Sequence, residues 1–370
     1  MDGQPVHDTH RKTWRHLNFF QYQAYLHANV PRTFCGDCGK VAQVPLPWAR
    51  PNSKFTLLFE AFGLALCKKL PVDTAAQQLA IGDDPLWKIL HYYVHQARAR
   101  EDFSQVHAVG IDETAARRGH NYVTFFHDMD KHRLLYGCAG KDQETVHAFA
   151  LDLQAHGGDP EQITDASIDM SKAYIAGVNK YLPNAEITFD RFHLIQLANQ
   201  ALDEVRRQEA KNEPLLKRTR WIWLKDRSKW THSQTALFKS LSSTRLKTTR
   251  AWRLKESLRE LFQTAANSKE ASTLLDSWYS WARRSRLEPF KQLANTLKDH
   301  RPGILKGFDS KLSNGYVEGF NSLIQAAKAK ARGYRKPKNL ITIAYLLGAK
   351  LAHLPASPYT TRYCGRRVKR

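Results

Sequence analysis

Within residues 104–209 the hydrophobic period switches repeatedly between about two and about 3.6 residues, and this alternation constrains the fold more than any other feature. VHAVGID is a short apolar run ending in acid, and NYVTFFHD and HRLLYGC read as two further strands of a meander. ETVHAFALDLQAHGG reads as a helix closed by a Gly-Gly stop. QITDASIDM is a strand ending in acid, SKAYIAGVNKYL a helix, AEITFD a fifth strand, and RFHLIQLANQALDEVRRQEAK a long helix. The order is β-β-β-α-β-α-β-α.

That order predicts an α/β fold with a ribonuclease-H-like core, a mixed β-sheet with flanking helices. Strand signals vanish from 200 to 305, which reads as a basic all-helical insertion. It divides the core into a first part, 104–199, and a second part, 306–354, whose segment KLSNGYVEGFNSLIQAAKAKARGYR is strongly helical. A basic tail, 355–370, follows. Six of the nine tryptophans (Trp221, Trp223, Trp230, Trp252, Trp278, Trp281) lie in or beside the insertion among Arg and Lys. Such rings stack on bases in some proteins; filling helix interfaces is the commoner role and the one expected here.

Residues 1–50 read as a small polar and aromatic module ending in VPLPWARPNS, and 51–103 turn helical. FTLLFEAFGLALCKKL is stopped by Pro71. In VDTAAQQLAIGDDPLWKILHYYVHQAR, Asp73 is expected to cap a short helix and Ala75 and Ala76 to permit close packing. Gly82 supplies the turn, and a second helix starts near Asp83 or Asp84 with Pro85 in its first turn. This is the pattern of a DNA-binding helix-turn-helix, with an ordinary helical hairpin as the plain alternative. Trp87 and Lys88, on the second helix, are the residues expected to meet DNA.

Charge favours the DNA reading. Fifty-seven Lys and Arg against 35 Asp and Glu leave a formal net charge of +22, the balance of a chain that meets a polyanion. From Gly319 to Arg370 there are twelve Lys or Arg and no Asp or Glu. Lys328, Lys330, Arg332, Arg335 and Lys336 are the expected phosphate contacts, a solvated helix face being the alternative. No run of about 18 apolar residues occurs, so no membrane span is expected. The N-terminus lacks the apolar segment of a signal peptide, so a cytoplasmic, nucleoid-associated chain is expected. Five cysteines form no secretory disulfide pattern. Cys35 and Cys38, in FCGDCG, have metal-ligand spacing, and one such pair supplies half a tetrahedral zinc site.

Two carboxylates close predicted strands: Asp112 in VGID and Asp169 in ASID. In the predicted topology the first and fourth strands are parallel neighbours, which brings these side chains together. Bare carboxylates in contact repel and raise one another's pKa; a divalent cation relieves that cost, and Mg²⁺ prefers oxygen ligands. Glu318, early in an amphipathic helix, is the candidate third acid. Three acids with two Mg²⁺ or Mn²⁺ ions make a two-metal phosphoryl-transfer site. Each acid also has a plain reading as a helix cap or surface charge, and Glu113 adjoins Asp112. Asp190 and His193, three apart in DRFHLIQ, are candidate accessories at the fifth strand–helix junction.

At these residues the sequence resembles the ISL3 family of bacterial insertion-sequence transposases, DDE enzymes with a ribonuclease-H-like domain. The likeness covers nearly the whole chain. VHDTHRKTWRHLNFFQYQAYLHANVPR followed by CGDCG is similar to the family's zinc-binding region. GIDE, ASIDMSKAY, FDRFHLI and SNGYVEGFNSLIQAAKAKARGY are similar to its catalytic blocks. The resemblance implies that Asp112, Asp169 and Glu318 are the DDE triad and that Asp190 and His193 match an accessory D-x-x-H. It also implies double-stranded DNA (terminal repeats and target) as partner, and a homodimer or higher oligomer in a synaptic complex. Two departures stand out. Family members carry a further CxxC upstream, so the single pair implies a shortened zinc region in which zinc binding is in doubt. Many DDE transposases also carry Lys seven residues after the catalytic Glu; here that position is Gln325, with Lys328 one turn later. The rival functions are a ribonuclease-H-like nuclease without joining activity and a non-catalytic DNA-binding remnant that regulates transposition.

Overall fold

The computed structural model describes residues 5–36, 38–116, 122–310 and 315–358. The expected helix start at 311–314 and the basic tail beyond 358 lie outside the described residues. The chain forms two compact units: Met1–Glu101 with Leu323–Arg370, and Asp102–Ser322.

The first unit opens with three antiparallel strands, β1 (Val6–Arg15), β2 (Tyr25–Phe34) and β3 (Val41–Gln43), in that order. Most of their side chains are exposed, and the small core is Trp14, Val30 and Ala49, with Trp48 set edge-on to Trp14 at 5.8 Å. Helix α1 (Leu57–Cys67) follows, its first turn capped by Thr56 accepting from the Phe59 N–H at 3.3 Å. Helices α2 (Val72–Leu79) and α3 (Asp83–Arg98) are the expected helix-turn-helix pair, with Gly82 as the N-cap of α3. One expectation is corrected: Asp73 does not cap α2. The cap position is Pro71, and Asp73 sits inside the first turn, where its charge suits the exposed N–H groups.

In the second unit β4 (Ala108–Ala115), β5 (Tyr122–Asp128) and β6 (Arg133–Ala139) form the meander. Then come α4 (Gln143–Ala155), β7 (Asp165–Ile168), α5 (Lys172–Tyr181), β8 (Glu186–Phe189) and α6 (Arg191–Glu209). The sheet order is β6-β5-β4-β7-β8, antiparallel from β6 to β4 and parallel from β4 to β8. This is the ribonuclease-H-like arrangement. Pleat alternation divides β4 between two layers. Val109 and Ile111 enter the large core with Val146 and Phe149 of α4, Tyr174 of α5 and Leu194 of α6. Ala108 lies on the opposite face with Met129 and Val317.

Helices α7 (Arg220–Leu224), α8 (His232–Ser242), α9 (Lys247–Thr264), α10 (Ser268–Arg284), α11 (Glu288–Asp299) and α12 (Arg301–Asp309) build the insertion. Their apolar faces extend the same core. Trp223 and Trp278 are buried and Trp230 and Trp252 half-buried, so four of the six tryptophans are packing residues. Trp221 and Trp281 are exposed. Helix α13 (Gly315–Lys330) gives its first turns to the second unit and its last to the first, where α14 (Pro337–Gly348) packs on α3.

Candidate active site

The parallel pairing of β4 with β7 ends at Gly110, whereas β4 continues to Ala115 along β5. Asp112 therefore lies within β4 rather than at its end, a correction to the expectation. What projects it is the loss of its β7 neighbour, just where Asp169 follows Ile168. Asp112, Asp169, Asp190 and His193 line one tight recess of about 10 Å³, space for about one water. Glu113 points to the other face, where its Oε2 accepts from the Tyr174 hydroxyl at 3.1 Å. The choice between the two adjacent acids is thus made by pleat parity.

Each acid in the recess is held by a local donor. Asp112 Oδ1 accepts from the Glu113 N–H at 2.7 Å, Asp169 Oδ1 from the Ser171 N–H at 2.8 Å, and Asp190 Oδ1 caps α6 through the Phe192 N–H at 2.8 Å. Asp190 is thus the N-cap of α6, a role that coexists with its place in the recess. His193 Nδ1 stands 3.4 Å from Asp190 Oδ2 without hydrogen-bond alignment. Burial holds the Asp112 carboxyl above the usual carboxylate range, and the nearby Asp190 charge adds to this. The Glu113 N–H, His193 and Asn321 pull the other way.

Glu318 is exposed in the first turn of α13, beside Val317, which lines the recess. That turn is anchored by aromatic packing: Phe320 meets Phe125 at 5.4 Å and His127 at 4.7 Å, and Tyr316 meets His127 at 5.4 Å. Asn321, three residues after Glu318 and so its neighbour on the helix surface, donates from Nδ2 to Asp112 Oδ2. Its Oδ1 is buried without a hydrogen-bond partner. Sequence reasoning missed Asn321; the i, i+3 spacing from Glu318 was the available signal. Gly110 permits this approach, because a Cβ there would meet Met129 Sδ at 2.5 Å and Val317 Cγ2 at 3.3 Å.

Among the described residues no three His, Cys, Asp or Glu side chains form a ready cation cage. The recess nevertheless fits a hard divalent ion by donor chemistry: carboxylate oxygens, one of them raised in pKa by burial, beside an orphaned amide oxygen. The zinc expectation fits less well. Cys35 and Cys38 flank a tight turn in which the Gly39 N–H donates to the Cys35 carbonyl at 2.9 Å and Gly39 takes φ 66°. The nearby histidines His7 and His10 lie 3.3 and 3.4 Å from Asp8, and among the described residues no cluster of three His, Cys, Asp or Glu includes the thiols.

The expected DNA contacts fall in the first unit. Lys88, Lys330, Arg332, Arg335 and Lys336 are exposed, and Lys328 is half-buried. Trp87 is also half-buried, stacked on His91 at 5.6 Å and edge-on to Tyr334 at 6.2 Å, so its ring is engaged in packing. Burial, with Lys338 and Lys336 close by, depresses the His91 pKa; the start of α14 thus adds its charge to α3. Gln325 accepts from Lys328 Nζ at 3.2 Å.

Profiles of known families match along the chain. One described as transposase, of the ISL3 DDE type, matches residues 109–344. A helix-turn-helix domain of transposase family ISL3 matches 44–94, and a zinc-finger of transposase IS204/IS1001/IS1096/IS1165 matches 4–38. The transposase for insertion sequence element IS1557 of Mycobacterium tuberculosis is 30% identical over 379 residues, covering 94% of this chain and 83% of the relative. The transposase for insertion sequence element IS1001 of Bordetella parapertussis is 28% identical over 341 residues, covering 89% and 82%.

Proposed function

This chain belongs to the ISL3 family of insertion-sequence transposases, with a DDE domain, a helix-turn-helix and a zinc-ribbon region, and from that premise we propose that it cuts and joins DNA at the ends of its own element through Asp112, Asp169 and Glu318. The observation that carries this reading is the recess in which Asp112 and Asp169 meet beside the first turn of the Glu318 helix. Those three acids would hold the metal. Bound there, two Mg²⁺ or Mn²⁺ ions would supply charge neutralisation at the attacking and leaving oxygens of a phosphodiester. Asn321 fixes the Asp112 carboxylate, and His193, with the Asp190 carboxylate 3.4 Å from its Nδ1, lies in the same recess as an accessory to the scissile phosphate.

Hydrolysis at the element end breaks the P–O3′ bond and frees a 3′-hydroxyl. That hydroxyl then attacks a target phosphodiester, one P–O bond forming for each that breaks, so no high-energy cofactor is required. The helix-turn-helix binds the terminal repeats through Lys88 on α3, and Lys330, Arg332, Arg335 and Lys336 hold phosphates. Lys328, in the last turn of α13, joins them. Two ends brought together require at least two copies of the chain. No described helix is long and apolar enough to cross a membrane.

The test is cleavage and joining of labelled element-end DNA in Mg²⁺ or Mn²⁺, comparing the native chain with Asp169→Ala. End nicking with joined product, both lost in the variant, is the expected result. Nicking without joining would identify a nuclease, and tight binding without cleavage a regulator.

A further inference from the structure

A second cavity of the Asp102–Ser322 unit, about 530 Å³ and lined largely by polar side chains, lies along α6. Its lining begins one turn beyond His193: Gln196, Gln200, Asp203 and Arg207 recur every three or four residues and form one stripe of the helix. At about 1.5 Å rise per residue the stripe runs about 20 Å from His193 to Arg207. That span matches about six nucleotides of one duplex strand at about 3.4 Å of axis each.

The charge along it is not balanced internally. Three guanidinium groups address one carboxylate, and Asp203 is the sole acid in the lining. Arg206 makes the tightest contact, with Nε 2.9 Å and a terminal nitrogen 2.7 Å from Oδ1, and Arg207 Nε also donates to the Asp203 backbone carbonyl at 3.4 Å. Arg207 and Arg220 stand farther off, at 3.4 and 3.7 Å, with side chains 66% and 54% exposed. Next to the groove the Arg220 guanidinium lies 5.2 Å from the exposed Trp221 ring. Arg207 and Arg220 thus bring two positive charges that the single Asp203 carboxylate, already held by Arg206, does not neutralise, and both remain more than half exposed.

We propose that this α6–α7 groove is a DNA-backbone site for the strand flanking the scissile phosphate, with Arg207 and Arg220 each holding one phosphate. The proposal rests on the DNA-cleaving reading of the neighbouring recess. The groove shares helix α6 with that recess, it carries excess positive charge, and its length suits several nucleotides.

The test measures binding of the full chain to a fluorescein-labelled 40-bp duplex of arbitrary sequence across a salt series. It compares native protein, Arg207→Gln/Arg220→Gln, and a charge-matched control, Arg283→Gln/Arg284→Gln, on the exposed end of α10. The groove variant is expected to bind about tenfold more weakly at about 0.1 M salt and to lower the slope of log K against log salt by about 2. The control is expected to change neither by as much. An unchanged slope in the groove variant, or an equal change in the control, overturns the proposal. Should the double variant fail to fold, Arg207→Gln alone is expected to lower the slope by about 1, and no change there overturns the proposal equally. Native protein that never nicks element-end DNA while the slope result holds defeats the cleavage reading and leaves the groove standing. Nicking by native protein with no slope change defeats the groove alone.

Discussion

One step along β4 separates Asp112 from Glu113, and the pleat sends them to opposite faces of the sheet. Asp112→Asn is expected to reduce metal-dependent cleavage to below about a hundredth of native. Glu113→Gln is expected to keep it, since that side chain only receives the Tyr174 hydroxyl; single-turnover cleavage distinguishes the two. Asn321→Ala removes the donor to Asp112 Oδ2, and partners of this kind typically alter metal affinity about tenfold. A rise of that order in the Mn²⁺ concentration for half-maximal cleavage is the expected outcome. His127 is fully buried with neither ring nitrogen hydrogen-bonded, and burial lowers its pKa to about 3. The folded protein therefore keeps it neutral, whereas the unfolded chain takes up a proton below about pH 6.5. Stability from this group is complete above pH 6.5 and falls by roughly 1.4 kcal/mol per unit as pH drops toward 3. His127→Leu is expected to lose about 2 kcal/mol less than native between pH 7 and pH 5, read from urea midpoints.

At the scale of elements, the legible parts were those whose burial is periodic. The strands of the large sheet are short apolar runs, largely buried on both faces in β4 and β5, and helices α4 to α6 each carry an apolar face, so strand and helix segments were visible. The N-terminal sheet was invisible for the converse reason. VHDTHRKTWR in β1 is polar on both faces and mostly exposed, so no alternation marks it as a strand. Its order comes from pairing with β2, Trp14 opposite Leu26, and from the Trp14–Trp48 contact. The docking of α13 was equally hidden. It depends on Gly110, whose missing side chain admits Met129 and Val317. Gly110→Ala is expected to cost about 1–3 kcal/mol through overpacking and to depress cleavage by displacing the Glu318 turn, measured as a urea midpoint and a cleavage rate on one preparation.

At the scale of the molecule, residues after 322 return to the N-terminal unit. Helix α14 there covers α3: Thr342 bonds His91 at 2.9 Å, and the Arg98 guanidinium lies 4.9 Å from the Tyr345 ring. The isolated segment 51–100 is therefore expected to melt broadly and bind element-end DNA more weakly than the intact chain. Circular dichroism and a binding titration check this, and a sharp melt with full affinity would show that the helix-turn-helix stands without α14. The sequence by itself determined the order of elements, the candidate acids and the excess positive charge, because the periods of strand and helix and the sum of charges are local or additive properties. Only the tertiary structure decided which acids share a recess, that Asn321 touches Asp112 across 209 positions, and that α14 joins α3. Those outcomes depend on strand register and close packing between distant segments, whose free energies no local pattern records.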